Sequence, residues 1–76
     1  MKNYVLFCQS NSDDQVLAVT TRPEVLRNKA KEFLDDFRDD PDVSARLWVD
    51  IYDDETAEIL VLIDITGLTD LSSVIL

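Results

Sequence analysis

Residues 21–40 read TRPEVLRNKAKEFLDDFRDD, and they carry the only long helical period in a chain of 76 residues. Leu26, Ala30, Phe33, Leu34 and Phe37 recur at the spacing of one buried helical face. Thr21 with Glu24 three residues on is a capping-box pattern. Pro23 suits the first turn, where its missing N–H is not needed. Pro41 marks the stop, because the residue before a proline is steered out of the α region. The stretch therefore predicts one helix over residues 21–40.

Outward from that helix the chain reads as strands. Residues 2–9 are rich in Tyr, Val, Leu and Phe, and Cys8 shares a strand face with Tyr4 and Leu6. Ser10, Asn11, Ser12, Asp13 and Asp14 form a polar turn, and residues 15–20 return as the second half of a hairpin. Beyond the helix, residues 43–52 alternate cleanly. Val43, Ala45, Leu47, Val49 and Ile51 point one way; Ser44, Arg46, Trp48, Asp50 and Tyr52 point the other.

Asp53, Asp54, Glu55 and Thr56 then make an acidic turn into a fourth strand over residues 57–65. Its alternation puts Ala57, Ile59, Val61, Ile63 and Ile65 on one face and Glu58, Leu60, Leu62 and Asp64 on the other. The expected architecture is an α+β fold, ββαββ. It is an antiparallel four-stranded sheet with one helix packed on one face, and residues 1–76 form a single acidic domain. Gly67 ends the last strand. The tail beyond it, apolar at Leu68, Leu71, Val74, Ile75 and Leu76, is expected to fold back as a short helix or fifth strand. There it covers part of the face opposite the helix, where Trp48, Tyr52, Leu60, Leu62, Val5 and Phe7 otherwise leave a large apolar patch.

Charge bounds the partners. Sixteen acidic and seven basic residues give a net −9 and a pI near 4.1, while 46% hydrophobic content is that of a folded chain. From Leu47 to Leu76 there are seven acids and no base. Such a surface repels nucleic acid and anionic membranes and attracts basic proteins. There is no signal-peptide pattern and no apolar run long enough to span a bilayer. The single thiol, Cys8, forms no internal disulfide and suits a reducing compartment, so the cytoplasm is the expected location.

The helix places its charges against its own dipole. Glu32, Asp35, Asp36 and Asp39 form a stripe roughly opposite the apolar face, crowding the negative C-terminal end, while Arg22, Arg27, Lys29 and Lys31 occupy the positive end. At i, i+3, i+4 and i+7 these acids also repel one another by a few tenths of a kcal/mol per pair. Lys31 to Asp35 is an available i,i+4 pair in the weaker lysine-first order. Local helix physics does not ask for this stripe.

Catalytic motifs are missing from the sequence. With no histidine there is no Ser-His-Asp or Cys-His device and no histidine-based zinc site. One glycine cannot build a glycine-rich phosphate loop. The acid runs at 35–40 and 53–55 lack the calcium-loop spacing. A short chain also leaves little room for a cleft between paired carboxylates. The sequence implies no enzyme, no metal and no cofactor.

Two function classes follow. In the first, the chain is a non-enzymatic inhibitor or regulator whose acids occupy a basic, nucleic-acid-binding site on a partner protein. The stripe from Glu32 to Asp39 spans about 10.5 Å at about 1.5 Å per residue. That is roughly one charge per 3.5 Å, beside about 3.4 Å along one strand of a DNA duplex. Asp40 and Asp42 extend the stripe, and Asp53, Asp54, Glu55 and Glu58 supply a second cluster. In size, acidity and lack of catalytic groups the chain resembles small phage-encoded DNA-mimic proteins, such as anti-restriction or anti-CRISPR inhibitors; the likeness is one of type, carried by no family motif. In the second class the acids keep the molecule soluble, and the working surface is the apolar face of Trp48, Tyr52, Leu60 and Leu62. The chain is then an oligomerising or adaptor module, with a symmetric homodimer as one form.

Overall fold

A computed structural model describes residues 1–10, 13–39 and 45–76. Asp40, Asp42, the Pro41 stop signal, the first two residues of the expected third strand (Val43 and Ser44), and Asn11 and Ser12 of the first turn lie outside the described residues.

The elements run β1 (Lys2–Gln9), β2 (Asp14–Thr20), α1 (Pro23–Asp39), β3 (Arg46–Asp53) and β4 (Ile59–Asp64). The strands form one antiparallel sheet in the order β2-β1-β3-β4, with the expected α+β architecture and the helix packed on one face. Ser10 closes the β1–β2 hairpin: its N–H and Oγ donate to the Asp13 carbonyl at 3.2 and 2.6 Å. The long pairing of β1 with β3 joins the two hairpins. It aligns Tyr4, Leu6 and Cys8 with Ile51, Val49 and Leu47 on the helix-facing side.

Leu26, Ala30 and Leu34 of α1 bury against that side, and with Tyr4, Leu6, Leu47, Val49 and Ile51 they form the core. Phe33 and Phe37 flank it partly buried. The helix begins one residue later than the capping-box reading implies. The Leu26 N–H makes its bond to the Arg22 carbonyl at 3.2 Å, so Arg22 is the cap residue and Pro23 is the first helical residue. The hydroxyl that serves this end belongs to Thr20, whose Oγ1 accepts from the Arg22 N–H at 3.1 Å.

Two β-bulges adjust the faces. In β2 the register shifts between Leu6 and Phe7 of the partner strand, which leaves Leu17 as the additional residue, packed against the core. In β4 the shift falls opposite Ile51 and Tyr52 and makes Leu60 the additional residue. Strict alternation places Ile59 with Val61 and Ile63. The bulge instead sets Ile59 across from Tyr52, on the opposite face, while Val61 and Ile63 remain across from Ile51 and Val49.

The tail differs from the expectation in form and in place. It is neither a helix nor a fifth strand but a succession of turns, held by Leu68 N–H to the Ile65 carbonyl and Val74 N–H to the Leu71 carbonyl, each at 3.1 Å. Nor does it cover the far face. Ile65 and Leu71 are fully buried in the core beneath α1, and Leu68, Val74 and Leu76 pack against it. Burial decides the side, because the helix lies over β1 and β2 and leaves the helix-facing side chains of β3 to be covered by something else.

Candidate functional site

The helical stripe is half neutralised by its own helix. Lys29 Nζ lies 3.6 Å from Glu32, and Lys31 Nζ lies 3.2 Å from Asp35, which also pairs with Arg38. Asp36 and Asp39 complete the stripe; both are exposed, and no ion pair reaches them among the described residues. Over Pro23–Asp39 five acids face four bases, so the helix carries a net charge of only −1. Exposed pairs of this kind contribute a few tenths of a kcal/mol each. They supply a local reason for Glu32 and Asp35, each of which answers a lysine or arginine one turn away, but not for Asp36 and Asp39.

The unbalanced charge lies elsewhere. Between residues 50 and 58 stand Asp50, Asp53, Asp54, Glu55 and Glu58 with no base. Asp53 shapes the turn: its Oδ1 accepts from the N–H groups of Glu55 at 2.9 Å and Thr56 at 3.4 Å, and its carbonyl accepts from Ala57 N–H at 2.8 Å. Ala57 adopts φ 58°, a left-handed conformation. Two cations stand nearby. The Met1 ammonium lies 3.1 Å from Asp54, and Lys2 is the β1 partner of Asp53. At the other end of the sheet, Arg46 Nη1 lies 3.5 Å from Asp64. Thr66, by its hydroxyl and then by its N–H at 2.9 Å, holds the Asp64 carboxyl below its usual range, with Arg46 adding to this.

The face of the sheet away from the helix has three cross-strand rows. The middle row runs Val19, Val5, Asp50, Leu62. On one side of it lie Asn3, Tyr52 and Ile59; on the other, Val16, Phe7, Trp48 and Asp64. Among the described residues nothing covers these rows, since helix and tail both occupy the other side. Val16, Val19, Ile59 and Leu62 are each 55–59% exposed. Val61, on the helix-facing side of β4, is also exposed because α1 does not reach that strand, and Leu60 at the bulge is exposed as well.

Trp48, Tyr52 and Leu62 are thus brought together with Val5 and Phe7 on one face, as the alternation predicts. Sequence reasoning missed Val16, Val19 and Ile59, because the first two needed the β1–β2 register and the third needed the bulge. Asp50 lies at the centre of this face. Val5 and Leu62 flank it across the strands, and burial raises its carboxyl above the ordinary value of 3.8.

A separate apolar cavity of about 350 Å³ lies under the C-terminal half of the helix. Its described lining is Leu34, Phe37, Ala45, Leu47, Gly67 and Leu68, with Arg38 and Thr66 as the charged and hydroxyl side chains. No paired carboxylates occur in that described lining. Among the described residues no three His, Cys, Asp or Glu side chains gather as metal ligands, and no helix is long and apolar enough to cross a membrane. Comparison with protein-family models, with curated proteins and with solved structures finds no match for this chain.

Proposed function

We propose that this chain is a non-enzymatic inhibitor or regulator that binds a basic, nucleic-acid-binding surface of a partner protein, in the manner of phage DNA mimics such as anti-restriction or anti-CRISPR proteins. The reading places it in the cytoplasm, where such a partner and a single reduced thiol both belong. The observation that carries it is the charge at the β3–β4 end of the sheet. There, five carboxylates within nine residues meet, among the described residues, only the Met1 ammonium and Lys2. Helical carboxylates contribute through Asp36 and Asp39, but the paired Glu32 and Asp35 contribute less. The turn acids Asp53, Asp54 and Glu55 are therefore the principal anionic contact.

A pull-down from a lysate of the native host at low salt tests this, with elution by rising salt. Recovery of a polymerase, nuclease or RNA-guided effector supports the reading. Converting Asp53, Asp54 and Glu55 to lysine should abolish capture, and converting Asp35, Asp36 and Asp39 should weaken it less.

A second reading has its own observation. The apolar face of Trp48, Tyr52 and Leu62, with Leu60 exposed beside it, is covered by none of the described residues and ends in the edge strand β4. An oligomerising or adaptor module working through that face would bind without regard to salt and would fail on Trp48→Ala.

A further inference from the structure

The outer sheet face poses a physical problem for anything that covers it. Val5, Leu62, Trp48 and Tyr52 flank the Asp50 carboxylate, and no hydrogen bond or ion pair reaches it among the described residues, whereas Asp64, the other acid of the three rows, is paired with Arg46. Arg46, the basic residue of β3, is engaged with Asp64. A partner that covered the face with apolar atoms alone would strip water from an ionised group and give nothing back, which is strongly unfavourable.

We infer that this face docks a protein surface carrying one arginine among apolar side chains, with Asp50 receiving the guanidinium. Arginine fits better than lysine here. Its planar fork can meet both carboxylate oxygens, and it is more weakly hydrated than an ammonium, so it enters an apolar setting more readily. The surrounding Val5, Val19, Tyr52 and Leu62 then take the apolar atoms on either side.

Charge and area both argue against a second copy as the occupant. Two such faces packed together would bring two Asp50 carboxylates toward each other between molecules that each carry −9. Four strands about 4.8 Å apart and three rows about 6.8 Å apart make a patch on the order of 300 Å². A stable dimer buries about 800 Å² on each partner. The patch is the size of a docking point within a larger contact that continues onto the acidic turn.

The inference rests on the proposed function in taking the partner to be cationic, and it identifies which residue of the partner is read. The test uses the full chain and a capped pentapeptide with one arginine flanked on each side by leucine and serine, alongside its citrulline twin, which keeps the shape and removes the charge. In a titration followed by amide chemical shifts, the arginine peptide should move the resonances of Val5, Val19, Asp50 and Leu62. It should bind about tenfold more tightly than the citrulline peptide, the worth of one charge-assisted hydrogen bond. Asp50→Asn, which keeps size and polarity, should erase that preference.

Equal affinity for the two peptides, shifts confined to the helix, or an undiminished preference in Asp50→Asn would overturn the inference. A host partner retained by Asp50→Asn but lost when the turn acids are reversed also overturns it, while leaving the proposed function in place. A host partner indifferent to salt and to the turn acids sinks the proposed function instead, and the peptide result stands or falls separately.

Discussion

Arg27 ties the C-terminal tail to the helix: its Nη1 donates to the Leu71 carbonyl at 2.5 Å and to the Val74 carbonyl at 3.0 Å. These carbonyls end a segment that follows no regular ladder, so the guanidinium supplies what a strand partner otherwise would. It also seats Leu71, one of the fully buried side chains, against the helix. Arg27→Met keeps much of the apolar stem and removes both bonds. The expected loss is about 1.5–3 kcal/mol, the range for hydrogen bonds to a charged group. Urea unfolding should show the midpoint falling, with Arg27→Lys in between.

Thr66 continues the β3–β4 pairing by side chain after the strand has ended. Its Oγ1 accepts from the Leu47 N–H at 2.8 Å and lies 3.3 Å from the Leu47 carbonyl, while the Ile65 N–H reaches the same carbonyl at 3.0 Å. Thr66→Val leaves the Leu47 N–H without its partner and should cost about 1–3 kcal/mol. Thr66→Ser keeps the hydroxyl and should lie close to the parent. Thermal unfolding of the two variants side by side distinguishes a lost hydrogen bond from a lost methyl group.

Ala57 is the one described non-glycine residue with positive φ, at 58°. Its methyl group makes that conformation unfavourable by about 1–2 kcal/mol, a penalty glycine does not carry. Ala57→Gly should therefore stabilise the β3–β4 turn by up to about 1 kcal/mol, after the greater freedom of glycine in the unfolded chain is counted. A melting temperature unchanged or lower than the parent would contradict this. Gly67, at φ 89°, uses the same freedom with nothing within 4 Å of where a Cβ would stand. Gly67→Ala should thus lose stability through backbone strain alone.

Asp50 gives a pH signature of opposite sign to the other perturbed carboxyls. Burial raises its folded value above 3.8, so the fold prefers its neutral form, and that contribution fades as pH rises through the raised value. Asp64 and Asp70 are lowered by hydrogen bonds from Thr66 and Ser72, so their contribution is lost as pH falls through their folded values. Asp50→Asn should match the parent in thermal stability at pH 3 and exceed it at pH 7. Asp50→Leu removes the central charge from the face, and sedimentation at pH 7 should then show more self-association than the parent does.

Much of this fold can be read locally. The 3.6-residue period of Leu26, Ala30, Leu34 and Phe37 names the helix, and the two-residue period from Leu47 to Tyr52 names a strand with one buried face. Both periods depend on neighbours within a turn or two of chain. The candidate surface was legible in part for the same reason. Trp48 and Tyr52 fall on the outer face by alternation alone, and the acids of the β3–β4 turn are adjacent in sequence.

Other features were decided by contacts between residues far apart in the chain. The pairing of β1 with β3 set Val5 beside Asp50, and the bulge at Leu60 carried Ile59 to the outer face. The reach of Lys29, Lys31 and Arg38 determined how much charge the helical stripe keeps. The tail shows the division most plainly. Its apolar residues announce burial, but which side of the sheet they bury against depends on where the helix leaves the core uncovered, and no local period records that. Sequence alone determined the elements, their alternating faces and the acidic excess. Tertiary structure decided the register, the side taken by the tail and the isolation of Asp50, because each depends on long-range packing.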